Sequence, residues 1–162
     1  MQDGVLKMIV WGCDPGASGA IALFDAGNGV VETWDMPIVE VRGKKVVSPQ
    51  IIKNILELHD APIWVEQVSA RPSQGVTSMF NFGKSYGMVL GVAAGLGYVT
   101  NYVTPQKWQK AVRCPTGKDG NRQRAMELMP AYSQLFARKK DDGRADAALI
   151  AYYGFTYGGS VE

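Results

Sequence analysis

The stretch from Met8 to Phe24 constrains the fold of this chain more than any other. An apolar run ends at one carboxylate, Asp14, a Pro-Gly turn with further small residues follows, and a second apolar run leads away. This pattern is typical of a hairpin whose first strand is buried, and it places Asp14 at a strand end. Sheets often carry their functional side chains at such rigid strand ends. Because Asp before Pro-Gly is also ordinary turn chemistry, the other acids of the chain must decide its role.

The composition is that of a globular protein, with 46% hydrophobic and 20% charged residues. We expect a single domain over residues 1–162. No apolar run approaches the roughly 18 residues of a membrane span, and the N-terminus lacks the pattern of a signal peptide. Two cysteines and one histidine favour neither a disulfide framework nor a zinc site.

The first half of the chain predicts three sequential strands and then a helix. The strands are expected at Lys7–Cys13, Gly19–Asp25 and Val30–Asp35. Residues 37–47 are predicted to be irregular, with a basic loop at Arg42–Lys45. Ser48 and Pro49 are a good cap and first turn for a helix whose apolar face is formed by Ile51, Ile52, Ile55, Leu56 and Leu58.

A second apolar run, Pro62–Val65, also ends at a single acid, Glu66. The run lacks helical spacing and therefore predicts another buried strand. If the strands before Asp14 and Glu66 are neighbours, the two carboxylates converge on one spot.

A long helix is predicted from Val76 to Leu96, with glycine at every fourth position from Gly83 to Gly95. Each interior glycine costs roughly 0.5–1 kcal/mol relative to alanine, so the stripe requires compensation. A bare stripe allows another backbone to approach, either the sheet beneath or a partner helix. Lys84 lies inside the segment and argues against a membrane helix.

The last third of the chain predicts a strand at Tyr98–Val103 and helices at Gln106–Val112, Asn121–Met129 and Asp142–Phe155. In the last helix Asp142 and Asp146 are four residues apart and therefore share a face. Asp142 alone is explained as a helix cap, whereas Asp146 lies a full turn inside the helix.

Basic residues dominate this last third, with ten basic against four acidic residues between Gln106 and Arg144. Such a surface suits a polyanion such as nucleic acid, and an ordinary solvated helical surface is the alternative. The predicted DNA-binding residues are Lys84, Lys107, Lys110, Lys118, Arg122 and Arg144.

Four acids now stand at two strand ends and on one helix face: Asp14, Glu66, Asp142 and Asp146. Such a cluster repels itself unless cations fill it, and oxygen-only ligands indicate a hard divalent metal. Two such ions about 3.5–4 Å apart activate water and stabilise the leaving oxygen of a phosphodiester. We therefore predict these acids as catalytic residues and metal ligands for two Mg²⁺ or Mn²⁺ ions per active site.

Three segments, Gly12–Gly19, Val65–Val68 and Asp142–Ala151, together resemble the RuvC family of Holliday junction resolvases, particularly its phage-type members. The resemblance implies an α/β, RNase H-like fold, with a mixed five-stranded sheet flanked by helices. It also implies a homodimer that makes paired, metal-dependent nicks across four-way DNA junctions during recombination, in the cytoplasm of a bacterial or phage-infected cell.

The resemblance assigns roles position by position. Asp14 and Glu66 match the first two metal ligands of the family, and Asp146 matches the acid on the last helix. Asp142 or Asp141 fills the remaining position, and we favour Asp142 because a spacing of four keeps it on the same face as Asp146.

The resemblance extends to DNA contacts and to assembly. Lys107 and Lys118 resemble the basic residues near the scissile phosphate, and the helix that carries Gly83, Gly87 and Gly91 matches the dimer-forming helix. The family tends to place an aromatic wedge where this chain has Ser69. Phe80 and Phe82 are possible substitutes, although core packing is the expected role of both.

Two rival functions remain open at this point. One is a broader branched-DNA or flap nuclease that uses the same metals, and the other is a non-catalytic DNA-binding module. Sugar kinases and related ATPases also start with an acid after a first strand, but they need a second domain and a second phosphate loop, for which 162 residues are too few.

Overall fold

The fold is built on a mixed five-stranded sheet, described by a computed structural model that covers residues 8–159. The strands are β1 (Ile9–Asp14), β2 (Ala20–Asp25), β3 (Val30–Asp35), β4 (Ile38–Val41), β5 (Lys44–Val47), β6 (Ile63–Glu66) and β7 (Thr100–Val103). The sheet order is β3-β2-β1-β6-β7, and β4 and β5 form a separate pair. β1 is antiparallel to β2 and parallel to β6, which in turn is parallel to β7. The predicted α/β class and five-stranded mixed sheet are confirmed.

Five α-helices accompany the sheet within the described residues: α1 (Pro49–Leu56), α2 (Val76–Gly95), α3 (Pro105–Ala111), α4 (Gly120–Leu128) and α5 (Asp142–Tyr157). Short 3-10 segments lie at Pro130–Phe136 and Lys139–Asp141. The Ser48 hydroxyl accepts a hydrogen bond from the Ile51 N–H at 3.3 Å, which confirms the predicted start of α1. None of the helices in the described part of the chain is long and apolar enough to cross a membrane.

Both faces of the central strands are buried. In β2, Ile21 and Leu23 contribute to a core shared with α1 and α2, whereas Ala20 and Ala22 contribute to the core that includes α5. This alternation follows from the period of two along a strand. The result is a sheet covered by helices on both sides, which leaves the strand ends as the accessible edge.

Close packing fixes α5 against the sheet. Gly12 in β1 faces α5, and a Cβ at this position would collide with the backbone of Ala147 and Ala151. A Cβ at Gly143 would collide with the loop at Ser18 and Gly19. The small residues therefore bring the start of α5 against the turn that follows β1.

Residues 38–47 form a hairpin, so the prediction that residues 37–47 are irregular is wrong. β4 pairs antiparallel with β5, and Ile38 lies opposite Val47. The turn residues Arg42 and Gly43 have φ angles of 51° and 74°. A two-residue turn with both φ angles positive matches the twist of the flanking strands.

Two further expectations about helix faces are corrected or settled by the structure. Ile51 and Leu58, expected on the apolar face of α1, are 37% and 57% exposed, because Ile52, Ile55 and Leu56 supply that face. The glycine stripe of α2 points away from the sheet: a Cβ at Gly83, Gly87, Gly91 or Gly95 would meet no atom within 4 Å. The sequence left two possible neighbours for the stripe, the sheet or a partner helix. The prediction that the sheet packs against the stripe is therefore wrong.

Candidate active site

The parallel strands β1 and β6 bring Asp14 and Glu66 together at one edge of the sheet. Cys13 lies opposite Val65, and each carboxylate follows directly in its strand. Burial raises the pKa of Asp14 from 3.8 to about 7, and the negative charge of Glu66 acts in the same direction. A hydrogen bond from the Gly16 backbone opposes both effects. The predicted convergence of the two acids is therefore present.

Asp146 joins them from α5. Its pKa is raised from 3.8 to about 8, chiefly by burial and also by the negative charges of Asp14 and Glu66. The Asn121 side-chain amide donates to the Asp146 Oδ1 at 2.8 Å and opposes this rise. Asp146 is thus oriented by a neutral donor on α4, a partner that the sequence analysis missed.

Glu66 is oriented in a similar way by Trp108. The indole Nε1–H donates to the Glu66 Oε2 at 2.7 Å, and the Trp108 side chain is fully buried. Burial raises the pKa of Glu66, whereas the hydrogen bond from Trp108 lowers it. A buried tryptophan needs a partner for its N–H, but the sequence did not show that the partner would be an acid 42 residues away.

The structure distinguishes Asp141 from Asp142. Asp141 is 1% exposed, and its carboxylate accepts hydrogen bonds from the Arg138 backbone N–H at 2.9 Å and from the Arg138 Nη2 at 2.8 Å. The Asp142 side chain is 62% exposed and lies 2.8 Å from the Arg122 Nε. The Asp141 carboxylate is therefore engaged by Arg138 at the start of the preceding 3-10 segment, and Asp142 is the acid that borders the open site.

No three Asp, Glu, His or Cys side chains within residues 8–159 are arranged to hold one metal ion together. The donor chemistry nevertheless fits a hard divalent cation, since Asp14, Glu66 and Asp146 offer only carboxylate oxygens. Each has a raised pKa, and none forms an ion pair among the described residues. The Arg71 charge partly offsets that of Glu66, whereas the donors to Asp14 and Asp146 are the neutral Gly16 backbone and the Asn121 side chain. A bound cation would relieve the repulsion among these carboxylates. The ligand set remains a prediction.

Two cavities flank these carboxylates. One of about 740 Å³ is lined by Asp14, Asp142 and Asp146, and the other, of about 620 Å³, contains Glu66. Phe82 lines both cavities, and a Cβ at Gly16 would lie 3.2 Å from its ring. The Phe82 side chain therefore lies over the turn after Asp14, between the two parts of the site.

The predicted DNA-binding lysines are placed on the surface. Lys84 lines the 740 Å³ cavity beside the carboxylates. Lys107 and Lys110 are exposed on α3, and Lys118 is exposed in the loop before α4. Their contacts with DNA remain a prediction.

The structure corrects the assignment of Arg122 to the DNA surface. Arg122 is 7% exposed, forms ion pairs with Asp119 and Asp142, and donates from Nη1 to the Ala137 carbonyl at 3.1 Å. Its guanidinium is thus engaged inside the protein, where it supports the acid on α5.

Arg144, also predicted to bind DNA, forms a bidentate pair with Asp35. Its Nε and Nη2 donate to the two carboxylate oxygens at 2.7 and 2.9 Å, and its Nη1 lies 3.7 Å from the Asp141 Oδ1. This pairing holds the pKa of Asp35 below its ordinary value. The structure therefore places Arg144 as a link between β3 and the start of α5.

The aromatic residues near the site differ from their expected roles. Ser69, at the position of the family's aromatic wedge, is exposed in the loop after β6. Phe80 is 68% exposed, so its expected core packing is wrong, and the Lys84 Nζ lies 5.8 Å from its ring centroid. Phe80 is thus an exposed phenylalanine on the first turns of α2, beside Lys84.

Comparisons with known proteins agree with this fold. Structures of Thermus thermophilus RuvC, one of them in complex with a Holliday junction substrate, superimpose with TM-scores of 0.59 and 0.58. They cover 91% of this chain and 94–95% of the RuvC chain, at 16% and 18% identity. The chain has the fold of RuvC. The fold implied by the sequence resemblance is therefore confirmed.

A sequence relative supports the resemblance independently. The chain is 28% identical over 155 residues to the chloroplastic Holliday junction resolvase MOC1 of Chlamydomonas reinhardtii. The match covers 78% of this chain and 18% of that protein, so the chain spans less than a fifth of its relative's length. No protein-family model matches the chain. The predicted resemblance to Holliday junction resolvases is confirmed by these relatives.

Proposed function

We propose that this protein is a metal-dependent endonuclease that resolves four-way DNA junctions. The observation that carries the proposal is the cluster of the half-buried carboxyl groups of Asp14, Glu66 and Asp146, each with a raised pKa, at the sheet edge of a RuvC fold. The sequence similarity to MOC1 and the junction-bound RuvC neighbour support a branched-DNA substrate.

The carboxylates would hold Mg²⁺ or Mn²⁺, two ions per active site, with Asp142 as the fourth ligand. Bound there, such ions lower the pKa of water and stabilise the oxygen that leaves phosphorus. Because Asp14 and Asp146 have pKa values of about 7 and about 8, binding of cations at neutral pH would displace protons from these carboxyl groups. Asn121 and Trp108 hold two of the carboxylates in place, which reduces the reorganisation needed during reaction.

Hydrolysis adds water across one P–O ester bond, and the chain supplies the groups that position that phosphate. Lys84 lies beside the carboxylates and offers an ammonium to the DNA backbone. Lys107, Lys110 and Lys118 extend the basic surface along α3 and the following loop. These residues position the strand without reading its sequence.

We further propose that two copies assemble through α2. Gly83, Gly87 and Gly91 have open space beside them, and exposed Val76 and Phe80 continue the same face of the helix. A symmetric dimer through this face would fix two active sites at one separation and allow paired cuts. The place of action proposed here is the cytoplasm of a bacterial or phage-infected cell, whereas the relative is chloroplastic.

The deciding experiment is strand cleavage by the purified protein on a mobile four-way junction, a replication fork, a flap and a linear duplex. With Mg²⁺ or Mn²⁺ we expect symmetric paired nicks on the junction, and no nicks from Asp14→Asn. Lys53→Gln is a matched control, because this residue lies on α1 in an exposed pair with Glu57. Binding without any cutting by the wild type with either metal would refute the catalytic assignment and leave a DNA-binding module.

A broader branched-DNA nuclease is the second candidate. It is favoured by one observation: Ser69 is a small polar residue where the family tends to carry an aromatic wedge. Cleavage of forks and flaps at rates close to that of the junction would establish this alternative.

A further inference from the structure

The β4–β5 hairpin is fixed at its base to the turn that carries the candidate active site. The Met36 N–H donates to the Gly19 carbonyl at 3.0 Å, and the Ser48 N–H donates to the Pro37 carbonyl at 2.9 Å. Met36 and Val47 are 3% and 4% exposed and anchor the two ends of the hairpin in the core. The base is thus held in a defined position relative to the carboxylates.

The tip of the hairpin is basic and projects from the protein. Arg42, Lys44 and Lys45 are exposed, and a Cβ at Gly43 would meet no atom within 4 Å. Glu40 is the one acid in residues 38–47, against these three basic residues. The positive φ of Arg42 and Gly43 makes the turn tight, so the basic residues are concentrated in a short segment.

The hairpin also lines the cleft that contains the carboxylates. Lys45 borders the 740 Å³ cavity together with Asp14, Asp142 and Asp146. Among residues 8–159, the basic residues that line this cavity are Lys45 from the hairpin and Lys84 from α2. Lysines from two separate elements thus meet at the acidic site.

This arrangement solves an electrostatic problem of the site. A phosphodiester that approaches three carboxylates is repelled, and a nearby ammonium offsets that repulsion. Lysine and arginine neutralise backbone phosphates regardless of base sequence. A basic segment at the mouth of an acidic cleft therefore fits a DNA strand that enters the cleft.

We propose that the β4–β5 hairpin is a clamp on the DNA backbone. Lys45 contacts the strand inside the cleft, and Arg42 and Lys44 contact neighbouring phosphates of the same strand. The inference rests on the proposed function, because it assigns the hairpin to the substrate of the same site.

The test measures binding of a synthetic four-way junction at a series of KCl concentrations, in an Asp14→Asn background that prevents cutting. Each phosphate contact contributes a slope of about 0.9 in log Kd against log salt. The triple variant Arg42→Gln, Lys44→Gln, Lys45→Gln is expected to reduce the slope by about 2–3 and to raise Kd about 10–100-fold. Lys53→Gln, an exposed lysine on α1, is expected to leave both unchanged.

A second measurement changes the DNA instead of the protein. Neutral methylphosphonate linkages beside the cleavage position are expected to raise the Kd of the protein that keeps the natural hairpin sequence. The same linkages are expected to change the Kd of the triple variant little. Unchanged slope and Kd in the triple variant, or equal losses from the methylphosphonates in both proteins, would overturn the clamp. Wild-type cleavage in Mg²⁺ or Mn²⁺ is scored separately: if the wild type cuts and the hairpin variants bind normally, only the clamp fails.

Discussion

The carboxylate of Asp146 is predicted to destabilise the folded protein when no metal is bound. Its pKa is about 8 in the folded protein against 3.8 ordinarily, so the folded state keeps a proton that the unfolded chain releases. The free energy of unfolding therefore falls as the pH rises from about 4 to about 8, and Asp146 has no such effect below that range. Asp146→Asn removes the ionisable group and keeps an oxygen that accepts the Asn121 hydrogen bond.

The magnitude follows from the difference in pKa. A difference of about four pH units corresponds to at most about 5–6 kcal/mol, at about 1.4 kcal/mol for each unit. Part of this cost is repulsion shared with Asp14 and Glu66. We therefore expect Asp146→Asn to raise the free energy of unfolding by about 2–4 kcal/mol at pH 8, which is about 5–15 °C in melting temperature.

The assay is thermal and urea unfolding in EDTA at pH 5 and pH 8. The stabilisation by Asp146→Asn is expected to be larger at pH 8 than at pH 5. Asp142→Asn is the control with the opposite sign: this side chain is 62% exposed and paired with buried Arg122, so its loss costs about 1 kcal/mol. Addition of Mg²⁺ or Mn²⁺ is expected to stabilise the wild type more than Asp146→Asn. An Asp146→Asn protein no more stable than the wild type at pH 8 would refute the reasoning.

Three further perturbations separate positioning, DNA contact and assembly. Trp108→Phe removes the hydrogen bond to Glu66. We expect about a tenfold rise in the Mg²⁺ concentration needed for nicking, with little change in the nicking rate at saturating metal. An unchanged metal requirement would contradict the positioning role. Arg144→Gln breaks the pair with Asp35 and is expected to lower the free energy of unfolding by about 1 kcal/mol, while the salt dependence of junction binding stays unchanged. A shallower salt dependence would support the original prediction that Arg144 contacts DNA. A Cβ at Gly87 meets no atom within 4 Å, so the monomer has room for a side chain there. Gly87→Leu is therefore expected to abolish dimers in analytical ultracentrifugation without lowering the melting temperature. Persistent dimers would indicate that the interface lies elsewhere.

The central sheet and the convergence of Asp14 and Glu66 could both be predicted from the sequence. Buried strands have strong apolar patterns, and parallel pairing of two strands that end in acids leaves their carboxylates at one edge. The hairpin at residues 38–47 was missed because its strands are only four residues long and its turn starts with an arginine. Asparagine, aspartate or glycine is the usual signal for a turn with positive φ, and Arg42 gives no such signal.

The basic residues show a different limit of sequence reasoning. Composition identified an excess of positive charge, but charge alone does not show which arginines already have partners. Arg144 pairs with Asp35, which is 109 residues away in the chain, and Arg122 is buried beside Asp142. Such pairs depend on tertiary packing, which composition does not reveal. The predicted exposure of Lys107, Lys110 and Lys118 is present in the structure.

The partners of the acids indicate which of them are available for a cation. Asn121 and Trp108 are neutral donors, so they orient Asp146 and Glu66 without neutralising the charge that a divalent metal requires. Asp141 is held by Arg138, and this compensation makes it a structural acid. Asp142 combines both features, since it borders the cleft and is also paired with Arg122. A cation would compete with that guanidinium, so we expect Asp142 to be the weakest of the four proposed ligands. We expect Asp141 not to bind the cation.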